Sequence, residues 1–156
     1  MKNWYYYWIT TIEGIGKAKI RNLLRVLKTP EQVYKANANI YKELPFLSSS
    51  DVSKIIESKD EQRIQIQIKN ILNQNIQIIS IECEEYPYML KHIEDAPYVI
   101  YKKGNINLNK PSIAIVGSRK CSEYGYAMAH NIAMDLASAG ILVVSGLAQG
   151  IDTAAH

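Results

Sequence analysis

SIAIVGSRKCSEYG, residues Ser112 to Gly125, decides the fold. Ala114 to Val116 are uninterrupted apolar residues, as expected of a parallel strand covered on both faces. Gly117, Ser118 and Arg119 then form a small-residue turn, and a helix is expected from about Tyr124 to Ala139. Its apolar face would carry Ala129, Ile132, Ala133 and Leu136, and Gly140 would be its C-terminal stop. ILVVS, Ile141 to Ser145, supplies a second strand and closes a βαβ unit. The expected class is therefore α/β with a Rossmann-like parallel sheet.

Parallel strands end on the same edge of a sheet, and open α/β sheets bind ligands at that edge. Two loops would meet there: Gly117-Ser118-Arg119, and Ser145-Gly146-Leu147-Ala148-Gln149-Gly150. The first strand is not followed by GxGxxG, and no GK[ST] closes a P-loop, so neither nucleotide-cofactor class is supported and no cofactor is expected. What remains is a hydroxyl and a guanidinium just beyond the strand, a chemical match to a pair of phosphate oxygens. Ser145, Gly146 and Gly150 would let backbone N–H groups approach the same anion. The plainer alternative makes Arg119 a surface ion pair and the glycines turn formers. Convergence of two such loops favours the phosphate reading. Asp152 and His156, at i and i+4 on the next helix, are given no chemistry, because a carboxylate in a first turn usually serves the helix dipole and the backbone.

Upstream, the sequence changes character. From Lys2 to about Asn75 it is helical, with Leu23, Leu24 and Leu27 at helix spacing, whereas IQIISI (Ile76 to Ile81) and PYVIY (Pro97 to Tyr101) read as strands. A helical domain over 1–75 and an α/β domain over 76–156 are expected. The first half also repeats itself faintly. Ile12-Glu13-Gly14-Ile15-Gly16, followed by Ile20, Leu23 and Leu24, matches Leu44-Pro45-Phe46-Leu47-Ser48, followed by Val52, Ile55 and Ile56. Each copy reads as helix, tight turn with a buried aliphatic, and helix, the pattern of a tandem helix-hairpin-helix.

In the first copy the glycines would free positive φ angles and bare N–H groups for a phosphate, with Lys17, Lys19 and Arg21 just beyond. The preferred reading is a tight turn with solvated lysines. Gly14, Gly16, Lys17 and Lys19 are kept as a secondary DNA-backbone contact. The second copy, without glycines, is read as structural. The aromatic run Trp4 to Trp8 is assigned to core packing along one face of a first helix rather than to base stacking. Asp60 to Leu72 alternates Ile and Gln, but its good helix formers and lack of turn residues favour a helix.

The 156 residues are 47% hydrophobic and 21% charged with a formal charge of +3, a globular balance that permits a nucleic-acid partner without demanding one. Cys83 and Cys121 stand far apart with no CxxC and no His at ligand spacing, so neither a metal site nor a disulfide is expected, which fits a reduced, cytoplasmic setting. The N-terminal apolar run is too short and too aromatic for a secretory signal, and no later run reaches the ~18 apolar residues that span a bilayer.

Taken together, YPYMLKHIEDAPYVIYKKG (Tyr86 to Gly104), SIAIVGSRKCSEYG and VVSGLAQGIDTAAH (Val143 to His156), in this order, resemble the DprA/Smf family of bacterial DNA-processing proteins. The resemblance implies a non-enzymatic, single-stranded DNA-binding protein of natural transformation. Such a protein would protect incoming strands and help load the RecA recombinase. By position, Gly117, Ser118 and Arg119 would line the strand pocket beside the Ser145 to Gly150 loop. The resemblance also implies further pocket residues and a homodimer surface later in the core, so the chain is expected to be a piece of a longer protein. Two alternatives stand beside it: a phosphoribohydrolase of nucleoside monophosphates on a related fold, and an N-terminal protein-docking module on a scaffold.

Overall fold

WYYYWITT forms α1, Trp4–Thr11, and it is buried nearly all round rather than on one face: Tyr6, Tyr7, Trp8 and Ile9 are all in the interior. A helix apolar around its circumference must be wrapped by neighbours. The wrapping comes chiefly from α2 (Lys17–Leu27), α3 (Pro30–Lys35) and the strand pair described below; together with α1, α4 (Ala38–Lys42), α5 (Ser49–Glu57) and α6 (Glu61–Leu72) these elements bury a core of Trp8, Ile9, Leu23, Val33, Tyr41 and Ile55. The buried indole is satisfied, since Trp8 Nε1 donates to the Ser58 hydroxyl at 2.9 Å and to its carbonyl at 3.2 Å. The computed structural model that gives this architecture describes residues 4–156, so the start of the expected helical region at Lys2 lies outside the described residues.

The helix expected over Asp60 to Leu72 is present, with Asp60 capping it by accepting from the Arg63 N–H at 3.0 Å. Its alternating isoleucines divide by helical spacing: Ile64 and Ile68 are buried, whereas Ile66 is 61% exposed. Both hairpin copies form as well. Ile15 is buried at the centre of the first turn. Gly14 has a positive φ of 77°, but Gly16 does not, being an extended N-cap at φ −73°. In the second copy Ser48 caps α5 in a reciprocal capping box with Asp51.

The strand expected in IQIISI is β1, Ile76–Ser80, and it pairs antiparallel with β2, Val99–Lys103, in the register Ile76↔Lys103 to Ser80↔Val99. A short helix, α7 (Tyr88–Lys91), lies in the connection. This hairpin packs on α1, with Ile78 and Tyr98 against the helical core. The chain consequently divides into two compact units between Asn105 and Ile106, later than the change of sequence character near Asn75.

The second unit, Ile106–His156, contains β3 (Ser112–Ala114), α8 (Glu123–Ser138), β4 (Leu142–Val144) and α9 (Ile151–Ala154). Strands β3 and β4 run parallel, Ser112 opposite Leu142 and Ala114 opposite Val144. The expected helix stop is realised as a Schellman motif: Gly140 has φ 79° and the Ile141 N–H reaches back to the Leu136 carbonyl at 3.0 Å. The expectation of a strand covered on both faces fails, because Ile113 and Val144 are each 45% exposed. A two-stranded sheet with one long helix has cover for only one face. On α8 the buried positions are Ala129 and Ala133, while Ile132 stands 47% exposed. The molecule is thus a mixed α/β protein, as expected.

Candidate functional site

The two loops that follow β3 and β4 are bound together through backbone. Gly150 has φ 93°, and a Cβ there would collide with the carbonyl oxygens of Ser118 and Arg119, so only glycine lets the second loop lie against the first. The Ile151 N–H then donates to the Ser118 carbonyl at 3.2 Å. Gly117 answers the same need from the other side, since a Cβ on it would stand 2.7 Å from the Ile151 side chain.

Asp152 completes the junction. It is 6% exposed, and its two carboxylate oxygens accept from the first glycine of each loop, the Gly117 N–H at 3.3 Å and the Gly146 N–H at 2.9 Å. The serines are likewise engaged within their own turns. Ser118 Oγ donates to the Lys120 carbonyl at 2.7 Å and accepts from the Lys120 N–H at 3.1 Å, and Ser145 Oγ accepts from the Leu147 N–H at 3.0 Å. Of the six residues singled out in these loops, Gly117, Ser118, Ser145, Gly146 and Gly150 therefore build the junction.

Arg119 opens into a cleft of about 490 Å³ lined also by Gly150, at the edge of the junction, and by Lys120, Cys121, Tyr126, Gln149 and Thr153. Arg119 and Lys120 are exposed and, among the described residues, neither makes an ion pair. No lining residue is a carboxylate, so the charged groups in the lining are both cations. Tyr126, 46% exposed, is carried into the cleft by the first turns of α8, which Ser122 caps by accepting from the Gly125 N–H at 3.1 Å. Thr153 is held by its hydroxyl, which donates to the Ala148 carbonyl at 2.6 Å. Such a surface can bind phosphate through a guanidinium and an ammonium and offer an aromatic ring to a base.

Sequence reasoning did not single out Lys120, Cys121, Tyr126 or Thr153 as cleft-lining residues, and it named Gln149 only as part of its loop. The signal for Tyr126 was the EYGY segment (Glu123 to Tyr126) opening a helix after two cations, an aromatic at the mouth of a basic loop.

The secondary candidate is differently arranged. Beside the Gly14 to Gly16 turn, Lys17 Nζ donates to the Asp95 carbonyl and lies 3.7 Å from its carboxylate. Lys19 Nζ sits 2.7 and 2.8 Å from the two oxygens of buried Asp51, tying the first hairpin to the second. The Lys19 ammonium, with the Ser48 N–H and hydroxyl, holds the Asp51 carboxyl well below the usual carboxylate range. A larger cavity in this unit, about 580 Å³, mixes Glu13 and Glu57 with Lys54 and Arg63 over Trp8, so it has no single-sign character. Among the described residues no group of three or more metal-ligating side chains is gathered, and neither cysteine is in a disulfide. No helix among them is long and apolar enough to cross a membrane.

Residues 77–156 match a family model described as DNA recombination-mediator protein A. The DNA processing protein DprA of Streptococcus pneumoniae is 47% identical over 72 residues, 46% of this chain and 25% of that protein. Protein Smf of Synechocystis is 26% identical over 157 residues, which cover 96% of this chain and 39% of that protein. The chain thus spans well under half the length of these relatives. An X-ray structure of DNA processing protein A from Streptococcus pneumoniae superposes on all of this chain and 53% of its own with a TM-score of 0.73 at 28% identity.

Proposed function

Because the chain belongs to the DNA recombination-mediator protein A family, we propose that it binds single-stranded DNA through the backbone, without catalysing a reaction on it. The observation that carries this reading is the cleft in which Arg119 and Lys120 lie unpaired beside exposed Tyr126, with no carboxylate in its lining. A strand laid along it would place phosphates against the two cations and a base against the tyrosine ring. Neither contact depends on base identity. The Gly117, Ser118, Ser145 and Gly146 group supports the cleft from beneath by fixing the loops, so its role is positioning rather than contact.

Delivery of the coated strand to a RecA-type recombinase, a homodimer in the longer protein, protection of incoming DNA in natural transformation and a cytoplasmic setting belong to the same reading. The Gly14, Gly16, Lys17 and Lys19 turn is proposed as a contact of second rank, because both lysines already have carboxylate partners.

The test is fluorescence anisotropy of labelled poly-dT titrated with the protein at low and moderate salt. Saturable binding that weakens with salt and is indifferent to base composition is the expected result. Absence of dT binding, with release of free base from nucleoside monophosphates, would replace this reading with the hydrolase.

A further inference from the structure

In α/β folds the N–H groups of a glycine turn at the carboxyl end of a parallel strand are a ready site for the phosphate of a small nucleotide. This protein has two such turns side by side, at Gly117 and Gly146, yet both N–H groups are already bonded to one carboxylate, that of Asp152. The carboxylate is interior, at 6% exposure, and is fitted tightly, since a Cβ on Gly146 would stand 3.1 Å from its Oδ2. Its own chain segment is fixed by the Ile151 N–H bond to Ser118 and by the close approach of Gly150 to that loop.

We propose that Asp152 is a specificity-determining residue: it fills the strand-end anion position with the protein's own negative charge and thereby excludes the phosphate of a free nucleotide. A second anion at that position would find both donors taken and a carboxylate in its way. Phosphate recognition is displaced outward to Arg119 and Lys120, which lie in an open cleft that a chain can traverse. This deepens the DNA-binding reading and rests on it for the identity of the outer ligand, but the exclusion itself is a property of Asp152 alone. It also gives the missing nucleotide fingerprint a physical counterpart, because the donors such a fingerprint would offer are spent inside the protein.

The experiment is an NMR titration of the full 15N-labelled chain with inorganic phosphate and with adenosine monophosphate, following the Gly117 and Gly146 amides in the wild type, Asp152→Ala and Asp152→Asn. In Asp152→Ala both amides are expected to shift saturably with phosphate, with an affinity at least about tenfold above any such binding in the wild type. Asp152→Asn removes the charge and one of the two acceptors while keeping the volume, so at least one amide is expected to respond, more weakly, and this variant serves if the alanine variant does not fold. Saturable shifts of the same affinity in the wild type would overturn the proposal, as would folded variants whose amides ignore phosphate. A wild type that leaves these amides unmoved by phosphate and also fails to bind poly-dT, with variants whose amides do respond to phosphate, would sink the DNA reading while upholding Asp152 as the excluding group.

Discussion

Two glycine turns in this molecule carry lysine or arginine immediately downstream, and they have opposite fates. At Gly14 to Gly16 the cations are matched by carboxylates: Lys19 by buried Asp51, and Lys17 by Asp95. At Gly117 the buried carboxylate of Asp152 goes to backbone N–H groups instead, and Arg119 and Lys120 are exposed with no ion pair among the described residues. The comparison teaches that whether a basic residue beside a glycine turn stays free for a ligand depends on whether a carboxylate of the fold is bonded to it or to backbone instead. In the helical unit carboxylate and cation are bonded to each other; in the α/β unit the carboxylate holds the two loops together and the cations line an open cleft, where the proposed function puts the DNA backbone.

The comparison can be broken in several places. The greatest effect is expected at Gly150→Ala, where a Cβ meets two backbone oxygens and φ is positive, so the loops must part. A loss of about 3 kcal/mol or more is expected, read as a lowered thermal midpoint together with loss of the cleft's DNA binding. Asp51→Asn should cost about 1–2 kcal/mol through the weakened cap and ion pair, again by thermal denaturation, and should leave DNA affinity unchanged.

The same residue sets a pH dependence. The folded-state carboxyl of Asp51 is depressed, so its contribution is present above the unfolded value of about 4 and is lost as pH falls below it. The wild type should therefore lose more stability than Asp51→Asn on acidification through that window. Arg119→Ala should weaken poly-dT binding about tenfold and lower the salt slope by about one, with no change of thermal midpoint. Smallest of all, Lys17→Ala removes an exposed pair and should alter stability by less than about 0.5 kcal/mol.

The parts legible in the sequence were those written locally. The helix ending at Gly140 was readable because one residue both stops a helix and tolerates a positive φ, and α6 was readable because helix formers outweighed an accidental alternation of Ile and Gln. The antiparallel pairing of β1 with β2 was not readable, because neither strand says which neighbour it will take, and that pairing joins the hairpin to the helical unit. At the candidate site Arg119 was singled out from its place after the strand, and it does line the cleft. The double acceptance by Asp152 was invisible, since it links positions 35 and 6 residues away and looks locally like an ordinary helix-start carboxylate. The Lys19 to Asp51 bond, between residues 32 apart, was hidden for the same reason, and with it the reason the first turn is a weaker ligand candidate.

The most direct test of the contrast between the two turns is poly-dT affinity as a function of salt for the wild type, the double variant Arg119→Ala with Lys120→Ala, and the double variant Lys17→Ala with Lys19→Ala. The account predicts that the first double variant loses most of the affinity and about two units of salt slope, whereas the second keeps the wild-type slope. Equal losses in the two variants, or a larger loss at Lys17 and Lys19, would contradict it.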